Sequence, residues 1–133
     1  MIYCTDSWFI IAAFNKDEKG VQLLRETKGG KTRLVIPMVV FAEATKKLMQ
    51  RGTPKEAIDL FWAGVEASEK VTLIPLDRPI AEEAAKISLS FKLPLIDALI
   101  AATCKLTGCN ALLTGDQDYR FLVKHRYLDV VGW

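Results

Sequence analysis

Residues 95–113, LIDALIAATCKLTGCNALL, place a long helical pattern directly before a short apolar run. The segment Leu95–Thr107 is apolar almost all round, as expected for a helix that is buried on every side. Gly108 interrupts this pattern, and Ala111–Leu113 then has the length of a buried strand. A buried helix that leads into a buried strand is the repeating unit of an α/β sheet.

The rest of the chain repeats this alternation of short apolar runs and longer helical patterns. The other predicted strands are Ile2–Cys4, Leu34–Ile36, Val71–Ile74 and Leu128–Val131. The other predicted helices are Ser7–Phe14, Glu18–Thr27, Val39–Gln50, Pro54–Ala67 and Arg78–Phe91. Such alternation predicts parallel crossover units, and strands that are apolar on both faces predict helices on both sides of the sheet. We therefore expect an α/β fold, a three-layer α/β/α sandwich with a central, mostly parallel sheet.

Length and composition fit one compact domain, which we predict over residues 1–133. The chain is 50% hydrophobic, and its net charge of +2 argues against a disordered tail and against a strongly basic nucleic-acid binder. Asp6 interrupts the first apolar segment, as a signal leader would not allow, and no uncharged run reaches the ~20 residues of a membrane span. We expect a cytoplasmic protein with no membrane segment.

The three cysteines give no sign of a disulfide framework or a zinc site. Cys4, Cys104 and Cys109 are odd in number and lack histidines at zinc-site spacing. We expect small buried thiols in a reducing compartment.

Acidic residues follow two of the predicted strands. Asp6 comes directly after the first strand, and Asp116 follows Ala111–Leu113 by the turn Thr114-Gly115, with Asp118 two residues later. Parallel α/β sheets bind ligands beyond the carboxyl ends of their strands, so these acids fall at the predicted functional edge. Each could instead serve only as a helix cap or a turn residue, because Asp suits both roles.

Two further acids lie in predicted helices. Asp97 begins the apolar helix, where an ionised carboxylate would be costly without a metal ion or a cationic partner. The helix dipole also favours a negative charge in the first turn, so an ordinary helix-start aspartate remains open. Glu43 stands one turn before Lys46 and Lys47, and an exposed Glu–Lys pair would explain it as well.

These segments together resemble the PIN domain, and in particular the VapC-type toxins of prokaryotic toxin–antitoxin pairs. The residues that carry the resemblance extend over essentially the whole chain: Thr5-Asp6-Ser7, a Glu in the helix after the second strand, Leu95-Ile96-Asp97-Ala98-Leu99-Ile100-Ala101-Ala102-Thr103 and Leu113-Thr114-Gly115-Asp116-Gln117-Asp118-Tyr119. One departure is Trp8, since family members often have a small or polar residue there.

The resemblance implies a metal-dependent ribonuclease that leaves 5′-phosphate and 3′-hydroxyl ends. The implied catalytic acids are Asp6, Glu43, Asp97 and Asp116, of which Asp6, Asp97 and Asp116 would ligate the metal. The implied supporting residues are Ser7, Thr114 and Asp118. Oxygen ligands alone favour Mg²⁺ or Mn²⁺ over Zn²⁺. The resemblance further implies an RNA substrate, a small antitoxin partner and a homodimer.

RNA also requires positive surface near the acids. Lys and Arg outnumber acids between Arg25 and Lys55, which is consistent with either a phosphate-facing strip or an ordinary solvated surface. The candidate RNA contacts are Arg33, Lys46, Lys47 and Arg51.

Two other functions compete with the nuclease hypothesis. A PIN-like module could bind RNA or a protein without cleaving anything, and a metal-dependent cleavage assay separates that possibility. A phosphatase would need a second acid two residues after Asp6, where Trp8 stands. A phosphate-binding loop is disfavoured, because Gly29-Gly30 precedes a strand and not a helix.

Overall fold

The computed structural model describes residues 1–132, and Trp133 lies outside the described residues. Five strands form one sheet: β1 (Ile2–Thr5), β2 (Arg33–Pro37), β3 (Val71–Ile74), β4 (Ala111–Leu113) and β5 (Val130–Val131). The helices are α1 (Ser7–Phe14), α2 (Glu18–Lys28), α3 (Met38–Gln50), α4 (Lys55–Ala67), α5 (Arg78–Phe91), α6 (Leu95–Leu106) and α7 (Arg120–Lys124). A 3-10 turn, Gln117–Tyr119, precedes α7.

The sheet order is β3-β2-β1-β4-β5, and every described pairing is parallel. From β1 the chain proceeds outward on one side through β2 and β3, and on the other side through β4 and β5. The strand order therefore reverses between β1 and β4, where a parallel sheet opens a crevice at its carboxyl edge. The predicted α/β sandwich around a parallel sheet is confirmed.

Helix α6 is buried along its middle, from Ala98 to Cys104, whereas Leu95, Ile96 and Leu106 near its ends are exposed, so it is not buried on every side as the sequence predicted. Ala98, Ala101 and Ala102 have almost no exposed surface, and these small side chains let α6 approach α5 and the sheet closely. Pro94 precedes the first turn in an extended conformation, so the helix starts without losing an internal hydrogen bond. The first turn therefore carries Asp97 to the edge of an otherwise apolar interior.

Helices α1 and α2 pack with their backbones almost touching at Gly20. A Cβ atom added there would lie 2.7 Å from the Ala13 nitrogen and 2.8 Å from the Ala12 carbonyl carbon. Only glycine allows this approach, which holds α2 closely against α1, the helix that Asp6 caps.

The structure differs from the sequence prediction mainly at the carboxyl end. The predicted strand Leu128–Val131 is shortened to Val130–Val131, although the Asp129 carbonyl still accepts a hydrogen bond from the Leu112 N–H at 2.9 Å. Helix α7 was not predicted, because it is only five residues long and too short to show a helical period. Pro54 caps α4 and does not begin it.

The state of the cysteines and the character of the helices bear on two of the predictions made from the sequence. All three cysteines are free thiols, with Cys4 and Cys104 buried and Cys109 half-buried. None of the helices within residues 1–132 combines the length and apolar character that a membrane span requires.

Candidate active site

A cavity of about 300 Å³ opens at the carboxyl edge of the sheet, where the strand order reverses. The acids predicted from the sequence as catalytic all line it: Asp6, Glu43, Asp97 and Asp116. Ser7, Trp8, Lys47, Ile100 and Gly115 complete the lining. Acids that are up to 110 residues apart in the chain are therefore neighbours in space.

Asp6 is the most buried of these acids, with 7% of its surface exposed. Its Oδ1 caps α1 by accepting hydrogen bonds from the N–H groups of Trp8 (3.0 Å) and Phe9 (3.4 Å). Its Oδ2 accepts a hydrogen bond from the Thr114 hydroxyl. Burial raises the pKa of Asp6, while these three donors oppose the rise and nearby Glu43 adds to it. Asp6 is thus both a helix cap and a wall of the cavity.

Thr114 connects the ends of the two central strands. It is 2% exposed, and besides donating to Asp6 its hydroxyl oxygen accepts a hydrogen bond from the Asp116 N–H at 3.0 Å. Asp116 in turn accepts a hydrogen bond on Oδ1 from the Asp118 N–H at 2.9 Å, so it also acts as a turn cap. This chain of bonds fixes the β4 loop against the carboxyl end of β1.

The tightest group of acids consists of Asp97, Asp116 and Asp118, each of which offers a carboxylate oxygen within 4.8 Å of the others. The sequence analysis placed Asp6 in the metal set and made Asp118 auxiliary, whereas the geometry puts Asp118 inside the compact group and Asp6 outside it. Partial burial raises the pKa of Asp97 from 3.8 to about 6, and repulsion from Asp116, Asp118 and Glu43 adds to the shift.

Glu43 and Lys47 meet at Ser7. The Ser7 hydroxyl donates a hydrogen bond to Glu43 Oε1 at 2.5 Å, and it accepts one from Lys47 Nζ at 3.0 Å. A positive charge thus lies at the wall of an acidic cavity. Within residues 1–132 the only ion pairs are Lys55–Asp59 and Arg78–Glu82, so Glu43 forms no direct ion pair there with Lys46 or Lys47.

The predicted RNA contacts do not form one strip. Lys47 lines the acidic cavity and donates a hydrogen bond to Ser7, while Lys46 lines a separate groove on α3 beside Phe41 and Met49. Arg33 is exposed at the first residue of β2, which is the edge of the sheet opposite to the acids. Arg51 is exposed just beyond the far end of α3.

Tyr119 was missed as a site residue, although it ends the motif that contains Asp116 and Asp118. It is 1% exposed, and its hydroxyl has no hydrogen-bond partner within normal distance among residues 1–132. It still lies near enough to Asp97 to lower the pKa of that carboxyl slightly. Burial raises the pKa of Tyr119, as do the charges of Asp97, Asp6 and Asp116.

Known proteins share this architecture. The family model of the PIN domain matches residues 3–123. VapBC2 from Rickettsia felis, solved with a DNA fragment from its promoter, matches with a TM-score of 0.75 and 17% identity over 100% of this chain and 99% of the other. A toxin–antitoxin complex from Klebsiella pneumoniae matches with a TM-score of 0.70 and 20% identity, over 97% of this chain and 95% of the other.

FitAcB from Neisseria gonorrhoeae gives a TM-score of 0.65 and 18% identity, covering 98% of this chain and 96% of the other. Among curated proteins, none matches this sequence. At these identities the solved structures establish a shared fold.

Proposed function

Because the matching family model spans most of the chain, this protein belongs to the PIN-domain family, and we propose that it is a divalent-metal-dependent endoribonuclease. The observation that carries the proposal is the convergence of Asp6, Glu43, Asp97, Asp116 and Asp118 at one edge of the sheet. Without a neighbouring positive charge, these carboxylates would repel one another, and they would also repel the phosphate of a substrate. A bound cation removes both difficulties.

The donor set fits a hard cation. It offers carboxylate and hydroxyl oxygens, with no histidine or cysteine lining the cavity, which is the chemistry that Mg²⁺ or Mn²⁺ prefers. Oxygens bound to one Mg²⁺ are at most about 4.2 Å apart. Asp97, Asp116 and Asp118 each offer an oxygen within 4.8 Å of the others, so only small side-chain movements would be needed for all three to bind one ion. Asp6 lines the same cavity and would be a further residue able to hold the ion.

A bound divalent cation supplies positive charge at the attacked phosphate and acidifies water there. The protein's own residues set the geometry. Asp6 cannot rotate freely, because α1 and Thr114 hold both of its oxygens. Ser7 orients the Glu43 carboxylate toward the cavity, where it can accept a proton from water. The Lys47 ammonium lies beside them as the positive group nearest to an incoming phosphate.

We also propose that the protein is the toxin of a toxin–antitoxin pair in the cytoplasm. Several structural relatives were solved as toxin–antitoxin complexes, and they share the fold over nearly their whole length. The acidic cavity would accept an arginine from a small antitoxin, since a guanidinium pairs well with carboxylates. We propose further that the protein forms a homodimer.

A cleavage assay on single-stranded RNA tests the activity. Wild-type protein, purified free of antitoxin, should cut the RNA with Mg²⁺ or Mn²⁺ and leave 5′-phosphate ends, and EDTA should abolish cutting. Asp97→Asn should lose at least about 10- to 100-fold in rate, the usual cost of weakening a metal site, while Asp129→Asn, which removes an exposed acid outside the cavity, should not. Wild-type protein that binds RNA but cuts none with either metal would favour the non-catalytic alternative.

A further inference from the structure

A second cavity adjoins the acid cluster. Its volume is about 450 Å³, and Asp118 belongs to both its lining and the acid cluster. One wall is the end of α5 with the loop to α6, and the other is formed by the 3-10 turn and α7. None of the residues assigned to the reaction above, apart from Asp118, lies in this cavity. The second cavity therefore borders the acid cluster through Asp118, and its lining is chemically different from that of the acidic cavity.

The second cavity combines cations with aromatic rings. Lys92 and Arg120 are exposed at its rim, and Phe91, Phe121 and His125 supply rings. The Phe91 and His125 ring centroids are 5.4 Å apart. The Arg120 guanidinium lies over the Phe121 ring at 5.1 Å from its centroid. Rings with adjacent cations are the usual means by which proteins hold unpaired nucleotides, stacking on the base and pairing with its phosphate.

The wall formed by the α5–α6 loop is held rigidly. The Ser88 hydroxyl donates a hydrogen bond to the Leu93 carbonyl at 2.7 Å, and the Leu93 side chain is buried. Lys92 ends α5 with a φ of +54°, a left-handed conformation that glycine normally adopts. The residue at this strained position is a lysine, which brings a positive charge to the rim that a glycine would lack. A preformed wall lowers the entropy cost of binding.

We propose that this second cavity binds one unpaired nucleotide of an RNA strand whose scissile phosphate lies at the acid cluster. The proposal rests on the proposed ribonuclease function and adds a site that sets where the strand lies. Charge favours RNA as the occupant, because the rim cations complement phosphate, and 450 Å³ lies within the usual range of small-ligand pockets. Stacking on protein rings is typical of unpaired bases, so the proposal favours a single-stranded segment of RNA at this site.

The test pairs a cavity variant with a matched neighbour on α7. Phe121→Ala removes a ring that is 42% exposed, and Val123→Ala removes an apolar side chain that is 46% exposed and outside the cavity. Arg120→Gln is matched in the same way by Lys124→Gln. Binding of a fluorescein-labelled single-stranded oligoribonucleotide is followed by anisotropy in the Asp97→Asn background with Mg²⁺, so that the strand stays intact.

Phe121→Ala should weaken binding by about 5- to 100-fold, the usual effect of losing one base–aromatic stack. Val123→Ala should change it by less than about 2-fold. Arg120→Gln should also lower the slope of log affinity against log salt concentration by about one, which Lys124→Gln should not do. Phe121→Leu, which keeps most of the apolar volume, provides a second variant should Phe121→Ala fold poorly.

An oligonucleotide series with one abasic site at successive positions identifies the bound base. One position should lose as much affinity as Phe121→Ala does, and Phe121→Ala protein should no longer respond to that position. Equal effects of cavity and control variants, or no sensitive position, would overturn the subsite and leave a cleaving enzyme intact. Binding that depends on Phe121 in a wild-type protein that cuts no RNA would support the subsite and refute the nuclease.

Discussion

Replacing Asp97 by Asn should stabilise the protein when no metal is present. In the folded state the pKa of Asp97 rises from 3.8 to about 6, chiefly through partial burial and then through repulsion by Asp116 and Asp118. A shift of about two units corresponds to roughly 3 kcal/mol. Because Asp97 is only partly buried, solvent screening reduces the expected effect to about 1–2 kcal/mol.

The sign follows from which form each state prefers. An acid with a raised folded-state pKa favours its protonated form in the folded protein, so above pH 6 its charge destabilises folding. As the pH falls from 6 to 3.8 this penalty disappears. Asp97→Asn should therefore be more stable than wild type at pH 7.5 by the full amount, and the difference should vanish near pH 4.

Thermal unfolding in EDTA at pH 7.5 and at pH 4 measures this difference. At about 3–5 °C per kcal/mol for a chain of this size, Tm should rise by about 3–10 °C at pH 7.5. Asp129→Asn, which changes an exposed acid outside the cavity, should stay within about 2 °C of wild type. An equal or lower Tm for Asp97→Asn in EDTA would refute the electrostatic reasoning.

Adding Mg²⁺ should reverse the order of the two proteins. At a concentration 100 times its dissociation constant, a ligand that binds only the folded state adds about 2.7 kcal/mol, which wild type should gain and Asp97→Asn should largely lose. Equal gains in both proteins would show that Asp97 does not help to bind the ion, even if the stability difference in EDTA were found.

Two further changes probe the cavity and the packing behind it. Lys47→Met should raise KM for RNA by about 5-fold with a smaller effect on kcat, because it removes the charge that contacts Ser7 at the cavity wall, and Lys47→Arg should restore most of the loss; steady-state cleavage kinetics would contradict this if kcat alone fell. Gly20→Ala should lower the free energy of unfolding by about 1–3 kcal/mol, since its Cβ would clash with the Ala13 backbone. Gly64→Ala should instead raise the free energy of unfolding, because it replaces a glycine within α4 and its added Cβ atom has nothing within 4 Å. Urea unfolding measures both changes.

The sequence was sufficient for the fold because the apolar periodicities are strong. The run from Leu95 to Leu113 predicts a helix and a strand, and the structure has both, with the strand at its predicted bounds and the helix ending one residue early. Helix α7 and the shortened β5 were beyond such reasoning. Helix α7 is too short to show a helical period, and the extent of β5 depends on its pairing with β4.

The sequence was enough to predict that the acids lie at one edge of the sheet, but it could not predict the distances between them. Asp6 and Asp116 follow strands that are neighbours in the sheet, and the rule for parallel sheets places both at the carboxyl edge. Which acids come within 4.8 Å depends on the turn after β4, where Asp116 accepts a bond from the Asp118 N–H and turns that carboxylate inward. The bonds of Lys47 and Glu43 to Ser7 depend equally on side-chain geometry across two elements.

The hydrogen bonds and the exposure of the acids separate them into one whose side chain is held in place and others whose side chains can adjust. A carboxylate accepts about four hydrogen bonds or metal contacts, and three of those positions on Asp6 are filled by Trp8, Phe9 and Thr114. Little of Asp6 is left to bind a cation, and what remains is held in place when α1 forms. Asp116 and Asp118 are exposed, so their oxygens can rearrange around an ion. In the proposed metal site, Asp6 would therefore serve mainly as a fixed wall, and the exposed Asp116 and Asp118 would supply ligands that can adjust to the ion.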